Sequence, residues 1–179
     1  MFKLEKVKND DNYSLNRIKN IYESSFPENE RRDFEDVIKL LTNQQFTLFS
    51  IKFEIETVGM LSVWEFSEFS YIEHFAIDED FRSEGIGTYI LKQFISKQEK
   101  QIILEVDLPN DNLSLKRIRF YESFGFNICR EEYIQPPYSK FKEAVPMLIM
   151  SKPEIISFVE FESIKAALYH IVYNVSEKH

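Results

Sequence analysis

The sequence is poor in several residue types, and each shortage removes a class of function. One cysteine, Cys129, excludes an internal disulfide, and three scattered histidines offer no metal-ligand spacing, so no metal is expected. No apolar run approaches the roughly 20 residues of a membrane span. The N-terminal stretch MFKLEKVKNDD lacks the apolar segment and small-residue cleavage site of a secretory signal. No membrane association and a cytoplasmic location are therefore expected. Positive charge is also short: 22 Lys and Arg face 30 Asp and Glu, a formal net charge of −8. A nucleic-acid binder usually carries the opposite sign, at least as a stripe. The nearest approach is Lys116-Arg117-Ile118-Arg119, inside a predicted helix, so no nucleic-acid partner is expected. A negative surface weakly favours cationic partners such as amines.

What is present is the composition of a globular protein, 44% apolar and 29% charged over 179 residues, enough chain for one closed core. Phe2 to Val7 reads as a strand. Asp10, Asp11 and Asn12 can cap a helix with Leu15, Ile18, Ile21 and Tyr22 on one face, stopped by Pro27. A second helix carries Phe34, Val37, Ile38 and Leu41. Phe46 to Phe53, Val58 to Phe66 and Phe69 to Ile77 read as an antiparallel meander. A different texture follows: a glycine turn, a helix over Gly87 to Ser96, a buried strand Ile102 to Val106, and a helix from Asn112 to Phe124 closed by Gly125. Phe126 to Tyr133 and Val145 to Met150 are the last predicted strands. Beyond Pro153, Phe161, Ile164, Leu168 and Ile171 form a helical stripe. The stripe is expected to pack on its own domain or on a second subunit, which leaves a homodimer open.

Glycine is scarce, four in all, and two of the four stand in Arg82-Ser83-Glu84-Gly85-Ile86-Gly87, between a predicted strand and a predicted helix. Without Cβ atoms the backbone there can be approached closely. The N–H groups that open a helix point outward beside the positive end of its dipole, so the turn suits a pyrophosphate. Arg82 can add a positive charge. An ordinary tight βα turn would carry the same letters. Other phosphate loops fit less well, because there is no Gly-Lys-Ser/Thr and no third glycine of a dinucleotide fingerprint.

A second signal is Phe120-Tyr121-Glu122-Ser123-Phe124-Gly125-Phe126, where Tyr121 ends a helix. Phe120, Phe124 and Phe126 are the better candidates for core packing, since a buried tyrosine hydroxyl needs a partner. Together Ile77-Asp-Glu-Asp-Phe-Arg82-Ser-Glu-Gly85-Ile-Gly87 and this second element resemble the acetyl-CoA motif and the FYE-x-x-GF element of GNAT acetyltransferases. The resemblance covers residues 2 to 151. It implies an α/β fold with a central, mixed, largely antiparallel twisted sheet of about seven strands flanked by helices. The expected organisation is a domain over 1–151 and a C-terminal helical extension over 152–179. Many members carry Asn and Ala seven and four residues before the tyrosine, where this chain has Ser114 and Arg117.

The resemblance implies an N-acetyltransferase in which a primary amine attacks the thioester of acetyl-CoA directly. The turn Arg82, Ser83, Glu84, Gly85, Ile86, Gly87 and Thr88 would hold the pyrophosphate. Phe75, Ala76 and Ile77 would pair with the pantetheine arm and support the thioester oxygen, and Ser114 could also donate to the cofactor. Tyr121 would protonate the leaving thiolate, a phenol being neutral and able to donate at pH 7. Glu73 is the candidate base and by alternation shares a face with Phe75 and Ile77, opposite Ile72, His74 and Ala76. Glu105 on the next strand competes with it. His74 and Cys129 read as structural. The acceptor, a small-molecule or peptide amine, would be walled by the loops holding Glu30 and Arg31, and Gln135-Pro136-Pro137-Tyr138. Two other readings stay open, a module that binds acetyl-CoA without turnover and a nucleotide-phosphate binder that only shares the turn.

Overall fold

A computed structural model describes residues 1–175, which form strands and helices over the segments whose hydrophobic periods select them. The chain divides into two compact units, residues 1–100 and the residues from 101 onward. In the first, β1 (Phe2–Lys6), β2 (Phe46–Phe53), β3 (Glu56–Glu65) and β4 (Phe69–Ile77) pair in that order, each antiparallel to the next. Helix α1 (Asn12–Ser25) is capped by the Asp11 side chain, which accepts from Ser14 N–H at 3.0 Å. It buries Leu15, Ile18, Ile21 and Tyr22, the four positions its period picks out, against β3 and β4. Helix α2 (Phe34–Leu40) buries only Phe34 and Val37, and Ile38 stays exposed. Helix α3 (Ile86–Ile95) puts Ile86 and Ile90 against Ile51 and Val58, with Phe75 and Ile77 packed alongside.

The β3–β4 ladder contains one irregularity. Ser62 pairs with His74 and Val63 with Ile72, which leaves Glu73 opposite no residue, a β-bulge. Alternation through β4 is therefore interrupted at Glu73. Its carboxylate meets Trp64 and lies 3.9 Å from His74 Nδ1, while Phe75 and Ile77 pack on α3. The strict alternation expected from sequence is corrected here, because an extra residue shifts a period of two by one.

The second unit is built on β8 (Val145–Lys152). It pairs antiparallel with β5 (Gln101–Asp107), with β6 (Asn127–Ile128) and with β7 (Tyr133–Gln135). The single strand expected over 126–133 is two short strands, and between them Cys129 N–H still donates to the Ile149 carbonyl at 2.8 Å. Helix α4 (Asn112–Glu122) begins in a reciprocal Asp111–Ser114 cap and ends before Gly125, whose φ of 85° is the left-handed turn expected there. Helix α5 (Phe158–Ala167) starts in a Ser157–Glu160 capping box and continues as a π-turn over Leu168–Val172. Phe161, Ile164, Leu168 and Val172 are buried and Ile171 only half so, since the buried face continues through Val172 instead. No helix among the described residues is long and apolar enough to cross a membrane.

Candidate active site

The glycine turn has the geometry that its letters suggest. Asp78 caps a 3₁₀ turn over Glu79–Phe81, and the backbone then enters the left-handed region twice, at Ser83 (φ 68°) and Gly85 (φ 78°). Gly85 stands immediately before α3, and a Cβ built on it would have no atom within 4 Å. The space over it is open. Helical bonding starts only where Tyr89 N–H donates to Gly85 at 3.0 Å, so the N–H groups of Ile86, Gly87 and Thr88 have no place in the helix ladder. Arg82 is anchored beside them, its Nε donating to the Ile77 carbonyl at 2.9 Å and its Nη2 to Ser25 at 3.2 Å. Ser83, Glu84, Gly85 and Thr88 are exposed and Gly87 half-buried, while Ile86 points into the core. Positive partial charge, an anchored guanidinium and open space favour an anion.

Along β4, Phe75, Ala76 and Ile77 pair with Leu61, Met60 and Gly59. Glu73 is enclosed in the first unit, its side chain 2% exposed. Arg32 Nη2 donates to one carboxylate oxygen at 2.9 Å and Trp64 Nε1 to the other at 2.8 Å. Both contacts favour the ionised form. Arg32 and Trp64 are partners that sequence reasoning missed, because nothing local links a loop arginine and a β3 indole to a glutamate on β4. His74 is buried beside them with its pKa lowered by burial; its Nε2–H donates to the Glu30 carbonyl at 2.9 Å, and its ring stands edge-on to Tyr22 and Phe26. The packing is that of a structural residue, but the ring lies beside Glu73 and not on the opposite face that alternation predicts. Arg31 Nε donates to the Phe26 carbonyl at 3.1 Å.

In the second unit Tyr121 shares the buried face of α4 with Ile118 and Ser114, about one and two turns back. It is more deeply buried than Phe120 and Phe124, so of the three phenylalanines expected in the core only Phe126 is fully buried. Helical spacing sets this order, since 114, 118 and 121 face one way. Burial pushes the Tyr121 phenol up to about 12, against the opposing pull of Arg117. Arg117 is paired with Asp107, so the bulk that replaces the family's alanine turns to β5. The Ser114 hydroxyl donates to Asp111 and accepts from its N–H at 3.2 Å. Ser114 also lines a cleft of about 330 Å³ with Asp107, Leu108, Asp111 and Pro146.

Glu105, expected as an acceptor residue or a competing base, accepts from Tyr133 at 2.5 Å and from Tyr173 at 2.8 Å. The Tyr173 ring lies 5.0 Å from that of Tyr138. The structure thus joins two expected substrate residues through a third that the sequence stripe, ending at Ile171, did not include. Cys129 is buried with its pKa raised by that burial, an inert setting for a thiol. Among the described residues no three His, Cys, Asp or Glu side chains cluster as a metal site.

The sequence model of the acetyltransferase (GNAT) family matches residues 15–126. No curated protein matches the sequence. Among solved structures, a putative GNAT-family acetyltransferase from Bacteroides thetaiotaomicron superposes with a TM-score of 0.89 at 28% identity, over 97% of this chain and 99% of that one. The ribosomal-protein-S18-alanine N-acetyltransferase of Escherichia coli gives 0.64 at 19% identity, over 88% and 96%. A GNAT family acetyltransferase from Elizabethkingia anophelis, solved with acetyl-CoA bound, gives 0.58 at 17% identity, over 84% and 96%.

Proposed function

The chain belongs to the GNAT acetyltransferase family, and from that premise we propose that it moves the acetyl group of acetyl-CoA onto a primary amine by direct attack. The observation that carries the reading is the turn at the head of α3, with open space over Gly85 and N–H groups outside the helix ladder. It suits the pyrophosphate of the donor, and a relative of the same fold was solved with acetyl-CoA bound. Phe75 to Ile77 would run beside the pantetheine arm, and a backbone N–H there would support the thioester oxygen as charge develops.

Tyr121 is the proposed acid. Its raised pKa keeps the phenol neutral through the working range, and a neutral phenol can donate to a departing thiolate. Glu73 is the proposed base. Arg32 and Trp64 each donate to one of its carboxylate oxygens and so fix the direction in which it faces. The proton it takes comes from an ammonium already weakened by leaving water. Glu30, Arg31, Glu105 and Tyr138 are the proposed acceptor residues. The test is coenzyme A release with a panel of polyamines, amino acids, aminoglycosides and peptide amines. Turnover with at least one class is expected. Tight acetyl-CoA binding with no release across the panel would identify a binding module instead.

A further inference from the structure

Ser83 is a non-glycine residue in the left-handed region, its φ at 68° just before Gly85 reaches 78°. An L side chain persists there only where the surrounding structure holds the backbone. Ser83 is exposed, so packing of its own side chain does not supply the hold. Helix α1, whose buried face packs on β3 and β4, supplies it at two points. From the middle of α1, Arg17 Nη2 donates to Asp78 Oδ2 at 3.0 Å, with Glu56 at 3.7 Å from the same nitrogen. Asp78 opens the turn: its N–H donates to the Val58 carbonyl at 2.9 Å, and its Oδ1 accepts from Asp80 N–H at 3.1 Å. At the last residue of α1, Ser25 Oγ accepts from Arg82 Nη2 at 3.2 Å, while Arg82 Nε donates to the Ile77 carbonyl at 2.9 Å. The two ties stand about 12 Å apart along the helix. They fix the residue that opens the turn and the immediate neighbour of Ser83. Binding groups fixed in advance lose less freedom when a ligand arrives, and so bind more tightly.

We propose that Arg17 is a positioning residue for the donor site, its tie to Asp78 acting with the Arg82–Ser25 bond to hold Ser83 and Gly85 ready for an anion before any ligand arrives. The proposal rests on reading this turn as the pyrophosphate site, but the brace itself can be measured without a ligand. The tests are calorimetric titration of the whole protein with coenzyme A and amide hydrogen exchange of the ligand-free protein, both well below its melting temperature. Arg17→Met should weaken coenzyme A roughly tenfold. It should also speed exchange at the Phe81 and Arg82 amides, which bond back to Asp78 and Glu79. Arg17→Lys keeps a donor for Asp78 and should lose less. Ser83→Gly added to Arg17→Met should recover much of the affinity, since glycine takes a positive φ without strain. A general loss of stability would give no such rescue. Unchanged affinity or unchanged exchange in Arg17→Met, or a loss that Ser83→Gly leaves in place, would overturn the proposal. If Arg17→Met does not fold, Ser25→Ala decides: it cuts only the Arg82 tie and should weaken coenzyme A, and normal affinity would count against the brace. Faster exchange in Arg17→Met of a protein that binds no coenzyme A would sink the donor-site reading and leave the brace standing.

Discussion

A phenol buried as Tyr121 is keeps its proton far past neutrality, and that property can be separated from its packing. Tyr121→Phe preserves the ring contacts with Phe120 and Phe126. We expect acetyl-CoA affinity to stay nearly unchanged while turnover falls by ~10²–10⁴, the usual weight of a general acid. Near-normal turnover, where acetyl transfer limits the rate, would make Tyr121 a packing residue. Burial raises Tyr22 and Tyr133 as well. Unfolded tyrosines ionise near pH 10. The folded protein retains those protons up to about 12 at Tyr121, so stability is intact below pH 10 and falls as pH rises through that window. Tyrosinate absorbance for these residues should therefore appear only together with unfolding. A folded protein whose nine tyrosines all titrate freely near 10 would contradict this. His74 has the opposite sign: its lowered pKa means that stability is lost as pH drops below the unfolded value near 6.5.

At the scale of the element, the head of α3 joins fold and binding in one turn. Gly85 holds φ at 78°, where an L side chain is strained, and its open side is where phosphate is proposed to sit. Gly85→Asp should cost some stability and most of the acetyl-CoA affinity, whereas Gly85→Ala should show the strain, on the order of 1 kcal/mol, with a smaller binding loss. Wild-type affinity by calorimetry in a folded Asp variant would move the site elsewhere. Helix α5 depends on a different device, the Ser157–Glu160 box. Ser157→Ala removes one half of it and should cost ~1 kcal/mol, read as a lower Tm.

For the whole molecule, the C-terminal segment is the large variable. Phe161, Ile164 and Leu168 are buried, Tyr133 stands against Phe161, and Tyr173 holds Glu105. A chain ending at Ser151 would leave that carboxylate without one of its donors and expose the apolar surface under α5. It should melt earlier or associate, and unchanged melting and sedimentation would refute this. The net charge of −8 acts over longer range. With a cationic acceptor, kcat/KM should fall as salt rises toward a Debye length of ~8 Å, and indifference to salt would argue against steering.

Much of this was legible without coordinates, for a local reason. A helix period selected Leu15, Ile18, Ile21 and Tyr22, and two glycines marked a turn before a helix and a helix end, since backbone conformation and one-faced burial are written within a few neighbouring residues. The α/β class and the family followed from such short-range patterns. What only the tertiary structure decided involves residues far apart in the chain. The bulge at Glu73 exists only as a mismatch between two strands, and it overturned an alternation that β4 alone appeared to dictate. Arg32 meets Glu73 across 41 positions and Tyr173 meets Glu105 across 68. Sequence proximity carries no trace of such pairs, because a buried carboxylate is matched to its donors by the packing of distant elements and not by any property of its neighbours in the chain.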